Sequence, residues 1–250
     1  MSPVPPRIPA PVAWVLVLVA AVLVYGPCVG FGWVGDDRVL LEGSRLLPDL
    51  STLPHALGRD LFWLADGNVR VSPYWRPVIT ASYYLDQLVG RGAPWAFHVN
   101  NLFVALLGGL VLAKRAGPLS VLAVAVFWFH PMQVEAIANI TARTDLYVAV
   151  LGTLAVFATG PLGAALTLLA LGCKETALVI PLIAFLGAPR TRAAWLPHLL
   201  ALVGWALVRT LLVTSWDVDP ADAGLPTLLS VATAPAVVGA YILRIALPLW

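Results

Sequence analysis

Two adjacent carboxylates follow the first apolar run of the chain, at the end of the stretch FGWVGDD. Asp36 and Asp37 therefore lie where this run would leave a membrane. An acidic pair just outside a membrane segment can act as a general base or as a binding group. Two solvated aspartates that end a helix would give the same pattern. The pair alone leaves both interpretations open, so the other polar segments have to decide between them.

Ionisable side chains recur in later polar segments of the chain. If residues 135–143 are helical, Glu135, Asn139 and Arg143 share one face, which is either an ion pair at a helix end or the wall of a cavity. The spacing from His130 to Glu135 is not that of HExxH, so a zinc protease is not indicated. The other candidates are the cations Arg76, Lys174 and Arg209, the carboxylates Asp145 and Glu175, and the pair His98 and Asn101. Clustered cations of this kind suit a lipid phosphate, whereas His98 and Asn101 are expected to make packing hydrogen bonds.

Composition places the chain in a membrane. Of its 250 residues 60% are hydrophobic and only 11% are charged, and the mean hydropathy is +0.88. The net charge of +2 comes without a basic patch, so nucleic acid is not an expected partner. Cys28 and Cys173 are too few for a disulfide framework, and two buried thiols are favoured over one bridge.

Eight apolar runs predict an all-α integral membrane protein with about eight spans. A long first outer loop (31–94) separates the first two of them. In this loop the spacing of Leu46, Leu50 and Leu53 predicts an amphipathic helix on the membrane surface, and a second helix is expected to begin at Pro77. The predicted spans are 12–30, 95–113, 118–134, 146–158, 162–171, 176–186, 195–213 and 228–249.

The basic residues that flank the spans predict the orientation of the chain. With eight spans they fall on one side, which the positive-inside rule makes cytoplasmic. The polar clusters then all fall on the opposite, outer face, together with the acidic loop after the seventh span. Arg244 lies inside the last span and receives no role. The basic residues are Arg7, Lys114, Arg115, Arg190 and Arg192, and the acidic loop contains Asp217, Asp219 and Asp222.

Six short elements, in order, resemble those of one known family. The chain is similar to the membrane domain of the transmembrane and tetratricopeptide-repeat O-mannosyltransferases and their bacterial relatives, which are GT-C glycosyltransferases. Cys173 stands where that family has a serine. The elements are Phe31 to Asp37, Tyr74-Trp75-Arg76-Pro77, Tyr84-Leu85-Asp86, Phe97-His98 with Asn101, His130-Pro131 with Glu135, Arg143 and Asp145, and Cys173-Lys174-Glu175.

The resemblance implies a GT-C-like membrane domain over residues 1–250. Because no repeat segment follows, the chain is expected to be a truncated or minimal version. The implied reaction is an inverting transfer of mannose or another hexose from a polyprenyl-phosphate-sugar to a protein or glycan acceptor. Asp36 would be the base, with Asp37 as the alternative or as a positioning partner. The cations Arg76, Arg143, Lys174 and Arg209 would bind the leaving phosphate, held in place by Glu175 and Asp145, with His98, Asn101, His130 and Glu135 in support.

The resemblance also implies a location and leaves alternatives. The chain would lie in a bacterial inner membrane with its active face periplasmic or extracellular, or in the endoplasmic reticulum with that face in the lumen. Membrane lipids and the lipid-linked donor are the expected small partners. No cofactor is required, since cations can stabilise the phosphate, although a divalent metal stays open.

A transporter or flippase for lipid-linked sugars would use the same cations without a base, and a non-catalytic scaffold would need neither.

Overall fold

The computed structural model describes residues 10–67, 74–188 and 190–213, and the regular structure in these ranges is helical. The predicted last span with Arg244, the acidic loop from Asp217 to Asp222, and Arg7 lie outside the described residues. The helices are α1 (Ala10–Tyr25), α2 (Asp36–Leu40), α3 (Leu53–Ala56), α4 (Trp63–Asp66), α5 (Pro77–Gly90), α6 (Pro94–Arg115), α7 (Ser120–Phe129), α8 (Met132–Ala138), α9 (Arg143–Phe157), α10 (Gly160–Leu171), α11 (Ile180–Gly187) and α12 (Arg192–Val213).

Three segments of the described chain are long and apolar enough to cross a membrane: Pro11–Gly30, Pro94–Arg115 and Arg192–Leu212. A fourth results if α7 and α8 are counted as one broken segment. Helices α9, α10 and α11 contain 15, 12 and 8 residues, fewer than the roughly 20 that span a bilayer. The described part of this membrane protein is therefore all-α, with fewer full-length spans than the apolar runs predict.

Helix α1 presents its side chains to lipid because it is apolar on every face. Val22 and Leu23 are 69% and 71% exposed, which only a hydrocarbon environment would tolerate for a whole helix. Helix α6 instead packs closely on α7 through small residues. A Cβ added at Gly108 would lie 2.8 Å from Cζ of Phe127. The indole Nε1 of Trp128 donates to the backbone oxygen of Ala105 at 3.0 Å, so small residues let these two helices approach.

The first loop contains short helical turns in place of the predicted amphipathic helix. Pro48 and Pro54 interrupt the leucine spacing, because proline has no N–H for the helical ladder. The chain forms a 3₁₀ turn at Leu50–Thr52 and then α3. Leu47 and Leu61 are buried in a core shared with α5 and α6. The prediction of one continuous helix from Leu46 is wrong, whereas α5 begins at the expected proline.

The predicted third span is bent instead of straight. Helices α7 and α8 meet at 71°, and His130 between them has an extended backbone. Pro131 explains the break, because its ring cannot continue the helix and favours an extended residue before it. The bend turns α8 away from the axis of α7 and opens a space beside it.

Helices α9 to α12 form the second half of the described bundle. Helices α9 and α10 pack as a hairpin, with Gly160 in the left-handed region at its turn (φ 61°). Helix α12 packs on α10 and α11. The guanidinium of Arg115 lies 4.5 Å from the ring centre of Phe157. The C-terminal ends of α6 and α9 therefore lie side by side, which leaves their N-terminal ends at the opposite face of the bundle with the first loop.

Candidate active site

The two carboxylates of the acidic pair lie in different environments. Asp37 is 1% exposed; its Oδ1 accepts from the N–H of Thr141 at 2.9 Å and its Oδ2 from the N–H of Val34 at 3.3 Å. Asp36 begins α2 and is exposed. Successive helical residues point about 100° apart. Asp37 therefore attaches the loop to the turn after α8, and Asp36 is the carboxylate that a substrate can reach.

The turn after α8, which donates to Asp37, is also bound by a side chain of helix α6. The amide nitrogen of Asn101 donates to the backbone oxygens of Ile137 and Asn139, at 3.2 and 3.0 Å. These oxygens lie at the end of α8, where helical carbonyls lose their own partners. His98, one turn earlier on α6, packs edge-on against the ring of Phe31 with 6.2 Å between ring centres. Asn101 makes hydrogen bonds of the packing kind expected for it, whereas His98 is placed by its ring contact with Phe31.

Arg143 lies in the protein interior and not in a cavity. Its side chain is 0% exposed, and its Nη1 donates to the carboxylate of Asp86. Burial raises the pKa of the Asp86 carboxyl, and the charge of Arg143 acts in the opposite direction. Helix α8 ends at Ala138 and Arg143 begins α9. The shared helical face proposed for Glu135, Asn139 and Arg143 is therefore wrong, and Arg143 does not converge with Arg76 and Lys174.

A cavity of about 970 Å³ opens at the bend between α7 and α8. Its apolar wall comes from α7, α8 and α9. Its polar wall brings together four of the residues singled out in the sequence: His130, Glu135, Asp145 and Lys174. Ala142, the residue after Thr141, also lines it. The turn that binds Asp37 is therefore followed directly by a residue of the cavity wall.

The segment Lys174–Glu175 connects two ionic clusters. Nζ of Lys174 donates to both carboxylate oxygens of Asp145 at 2.7 Å. Glu175 faces the other way, because the backbone of Lys174 is extended and neighbouring side chains then point to opposite sides. The Glu175 carboxylate lies 3.4 Å from Nη2 of Arg76 and 3.9 Å from Nη2 of Arg209. The expected ion pairs of these cations with Asp145 and Glu175 are thus present. They form two separate clusters, one around Asp145 and one around Glu175.

Aromatic rings surround the second cluster. Arg76 lies 4.6 Å from the ring centre of Tyr74 and Arg209 lies 5.5 Å from that of Trp205. The indoles of Trp75 and Trp205 stack with 6.4 Å between centres. The part of the first loop that leads into α5 is held in this way against α12.

A buried polar network was not identified in the sequence. Asn100 donates to Asp86 at 2.6 Å and accepts from the hydroxyl of Tyr147 at 2.7 Å. Ser82 Oγ accepts from Arg143 at 3.1 Å. The sequence motif Tyr84-Leu85-Asp86 contains Asp86 but indicates no role for it. Its position among apolar residues of α5 was the available signal, because a carboxylate there needs a cation.

The cysteines and possible metal ligands are separate from this chemistry. Cys28 and Cys173 are free and buried, as favoured from the sequence. Within the described ranges, no group of three or more His, Cys, Asp or Glu side chains is placed to hold a metal ion.

Comparison with known proteins supplies a family likeness. Protein O-mannosyl-transferase Tmtc2 of Drosophila melanogaster is 34% identical over 190 residues, which are 65% of this chain and 20% of that protein. The chain is similar to the TMTC protein O-mannosyltransferases. Tmtc1 of the same organism is 31% identical over 137 residues, 50% of this chain and 15% of its own. TMTC2 of Homo sapiens is 28% identical over 117 residues, 44% of this chain and 14% of its own.

The resemblance seen in the short motifs is thereby confirmed. The chain spans about a fifth or less of the length of the TMTC relatives it matches. No family model matches the chain, and no solved structure matches it significantly.

Proposed function

We propose that this chain is the catalytic membrane part of a glycosyltransferase that moves mannose, or another hexose, from a polyprenyl-phosphate-sugar to a protein or glycan hydroxyl. The likeness to the protein O-mannosyl-transferases supports the reaction class. The hydrogen bond from Thr141 to Asp37 carries the assignment to this site. Through it, an exposed carboxylate, Asp36, is fixed next to a turn that borders a large cavity.

Asp36 is the proposed general base. It takes the proton of the acceptor hydroxyl as the oxygen attacks the anomeric carbon, and the bond from that carbon to the phosphate oxygen breaks. The configuration at carbon inverts, and polyprenyl phosphate leaves with the electron pair. Asp36 suits this step because its carboxylate is exposed to an acceptor. Its position is fixed because the neighbouring Asp37 is hydrogen-bonded to the turn after α8.

Arg76 and Arg209 are the proposed phosphate ligands. Both lie beside the carboxylate of Glu175, so two guanidinium groups are close together at this point of the described chain. The cavity has one cation, Lys174, bound through both oxygens of Asp145, and a further carboxylate from Glu135. An anionic leaving group is proposed to bind beside the two guanidinium groups, because a guanidinium can bind a phosphate bidentately. Lys174 is the proposed second contact, at the border between the two clusters.

The orientation belongs to the same proposal. With about eight spans, the first loop, the cavity and both ionic clusters lie on one face, and Lys114, Arg115, Arg190 and Arg192 on the other. The positive-inside rule makes the first of these the outer face. Donor and acceptor would meet there at the level of the membrane surface.

The test is sugar transfer by the reconstituted full-length protein, with polyprenyl-phosphate-mannose as donor and a serine- and threonine-containing peptide as acceptor. Asp36→Asn should reduce kcat by about 10²–10⁴-fold. Glu42→Gln, which removes an exposed carboxylate just after the same helix, is the matched control and should transfer normally.

Two results would contradict the proposal. Wild-type rates in Asp36→Asn would remove the base assignment. Movement of the donor across the bilayer by wild-type protein, with no transfer to any acceptor, would identify a transporter of lipid-linked sugars.

A further inference from the structure

The carboxylate pair is connected to the protein interior by a continuous series of hydrogen bonds. Asp37 holds α2 through the N–H of Thr141. The backbone oxygen of Ile140, the residue before Thr141, accepts a hydrogen bond from Nε of Arg143 at 3.2 Å. The two bonds meet at the Ile140–Thr141 peptide unit from opposite directions. The same N–H of Thr141 also donates to the side-chain oxygen of Asn139 at 3.0 Å. The position of α2, and with it Asp36, is therefore connected to Arg143 through this peptide.

Arg143 is itself fixed on three sides. Its Nη1 donates to Asp86 and to Ser82 on α5, and its Nη2 donates to the backbone oxygen of Phe97 on α6 at 2.8 Å. The rings of Tyr83 and Phe97 lie 4.8 and 5.8 Å from its guanidinium carbon. A planar guanidinium has five donors in a rigid fork. Every nitrogen of this one donates, and its four bonds go to α5 (two of them), to α6 and to Ile140 in the turn after α8.

The carboxylate partner of Arg143 is also fixed. Asp86 accepts from Asn100 on α6, and Asn100 accepts from Tyr147 on α9. The network thus joins α5 of the first loop to α6, α9 and the turn after α8. A buried ion pair contributes little net stability when compared with apolar packing, but it does specify one geometry.

We propose that Arg143, with Asp86, is a positioning residue for Asp36, acting through the Ile140–Thr141 peptide and Asp37. This inference rests on the proposed function. It gives Arg143 a role other than phosphate binding, since no nitrogen of its buried guanidinium is left for a ligand. A displacement of about 1 Å at a reacting group can reduce a rate by about 10²-fold, so loosening this peptide lowers kcat and leaves the KM for the donor unchanged.

The first variant is Arg143→Lys, which keeps the charge but lacks the fork. A lysine can reach Asp86 or Ser82, yet it cannot donate to Ile140 and Phe97 at the same time. We expect kcat of the folded protein to fall by about 10–10²-fold. The KM for polyprenyl-phosphate-mannose should stay within twofold.

A second variant separates positioning from folding. The double substitution Arg143→Gln with Asp86→Asn removes both buried charges, so no unpaired charge is left to unfold the protein. It also removes the contact with Ile140. We expect this variant to fold and to show the same loss of kcat as Arg143→Lys.

Thr167→Val is the matched control for loss of a buried polar contact. The hydroxyl of Thr167 lies 2.7 Å from Nδ1 of His198, between α10 and α12 and away from the acidic pair. This variant should be less stable than wild type and should keep its kcat. If kcat per folded molecule is normal in both Arg143 variants, the network is structural only and the positioning role is wrong.

A readout without catalysis distinguishes failure of this inference from failure of the proposed function. A nitroxide spin label is attached in Asp36→Cys, where the native Cys28 and Cys173 are buried. Its electron paramagnetic resonance spectrum should show greater mobility when Arg143→Lys is added, and no change when Thr167→Val is added. An unchanged spectrum with Arg143→Lys would overturn the inference. A mobility change without transfer by wild-type protein would overturn the proposed function alone.

Discussion

Replacing Asp37 with asparagine should weaken the attachment of the first loop to the turn after α8. An amide has one oxygen, so it can keep the 2.9 Å bond from Thr141 but must turn its NH₂ toward the N–H of Val34. Exchanging a charged acceptor for a neutral one loses about 1 kcal/mol. The N–H of Val34 then lacks a partner, at a further cost of about 1 kcal/mol, the lower end of the range because Val34 is 60% exposed.

The sum, about 2 kcal/mol, corresponds to a fall in Tm of roughly 4–8 °C for a chain of this size. Asp36→Asn is the control, and its exposed position predicts a change within about 0.5 kcal/mol. Thermal unfolding of both variants in the same detergent, followed by tryptophan fluorescence, measures the difference. Equal stability of the two variants, or a larger loss for Asp36→Asn, would refute the division of the pair into an anchor and an accessible carboxylate.

The remaining predictions concern packing, donor binding and orientation. Gly163→Ala should lower Tm, because the new Cβ would lie 2.7 Å from an imidazole carbon of His198 on α12 and such overpacking costs about 1–3 kcal/mol. The control Gly204→Ala has open space around it and should raise Tm slightly. A higher Tm for Gly163→Ala than for Gly204→Ala would contradict the described packing. Arg76→Gln should raise the KM for the donor by about tenfold, the loss of one charge-assisted hydrogen bond, and an unchanged KM in the transfer assay would remove Arg76 from the phosphate site. An impermeant maleimide should label Leu50→Cys in intact cells and leave Arg115→Cys unlabelled, and the opposite pattern would invert the proposed orientation.

The long helices could be predicted from the sequence because their signal is local. The apolar run before Asp36 and the run after Pro94 each contain enough residues to span a bilayer, and both form helices. Pro131 was visible as well, but the apolar composition on either side of it outweighed the break that proline imposes. The same applies to the leucine spacing from Leu46, where Pro48 and Pro54 decide the local structure.

The partners of the site residues could not be predicted, because they depend on contacts between distant parts of the chain. Arg143 and Asp86 are separated by 57 positions, and no local pattern joins them. The sequence spacing therefore predicted a shared helical face for Arg143 and Glu135, whereas the charge of Arg143 is paired with Asp86 on α5. The motif likeness named Asp145 and Glu175 as the carboxylates that hold the cations, but it did not show that Lys174 contacts Asp145 while Glu175 faces a different cluster.

The extended backbone at Lys174 sets a strict condition on chain length at this point. Only Lys174 is extended, and Glu175 already begins the 3₁₀ turn Glu175–Val179, so the two side chains reach their clusters with no residue between them. An inserted residue would separate Glu175 from Lys174 and change the side to which one of them points. The direct succession of these two residues can be examined in any related sequence without measuring activity.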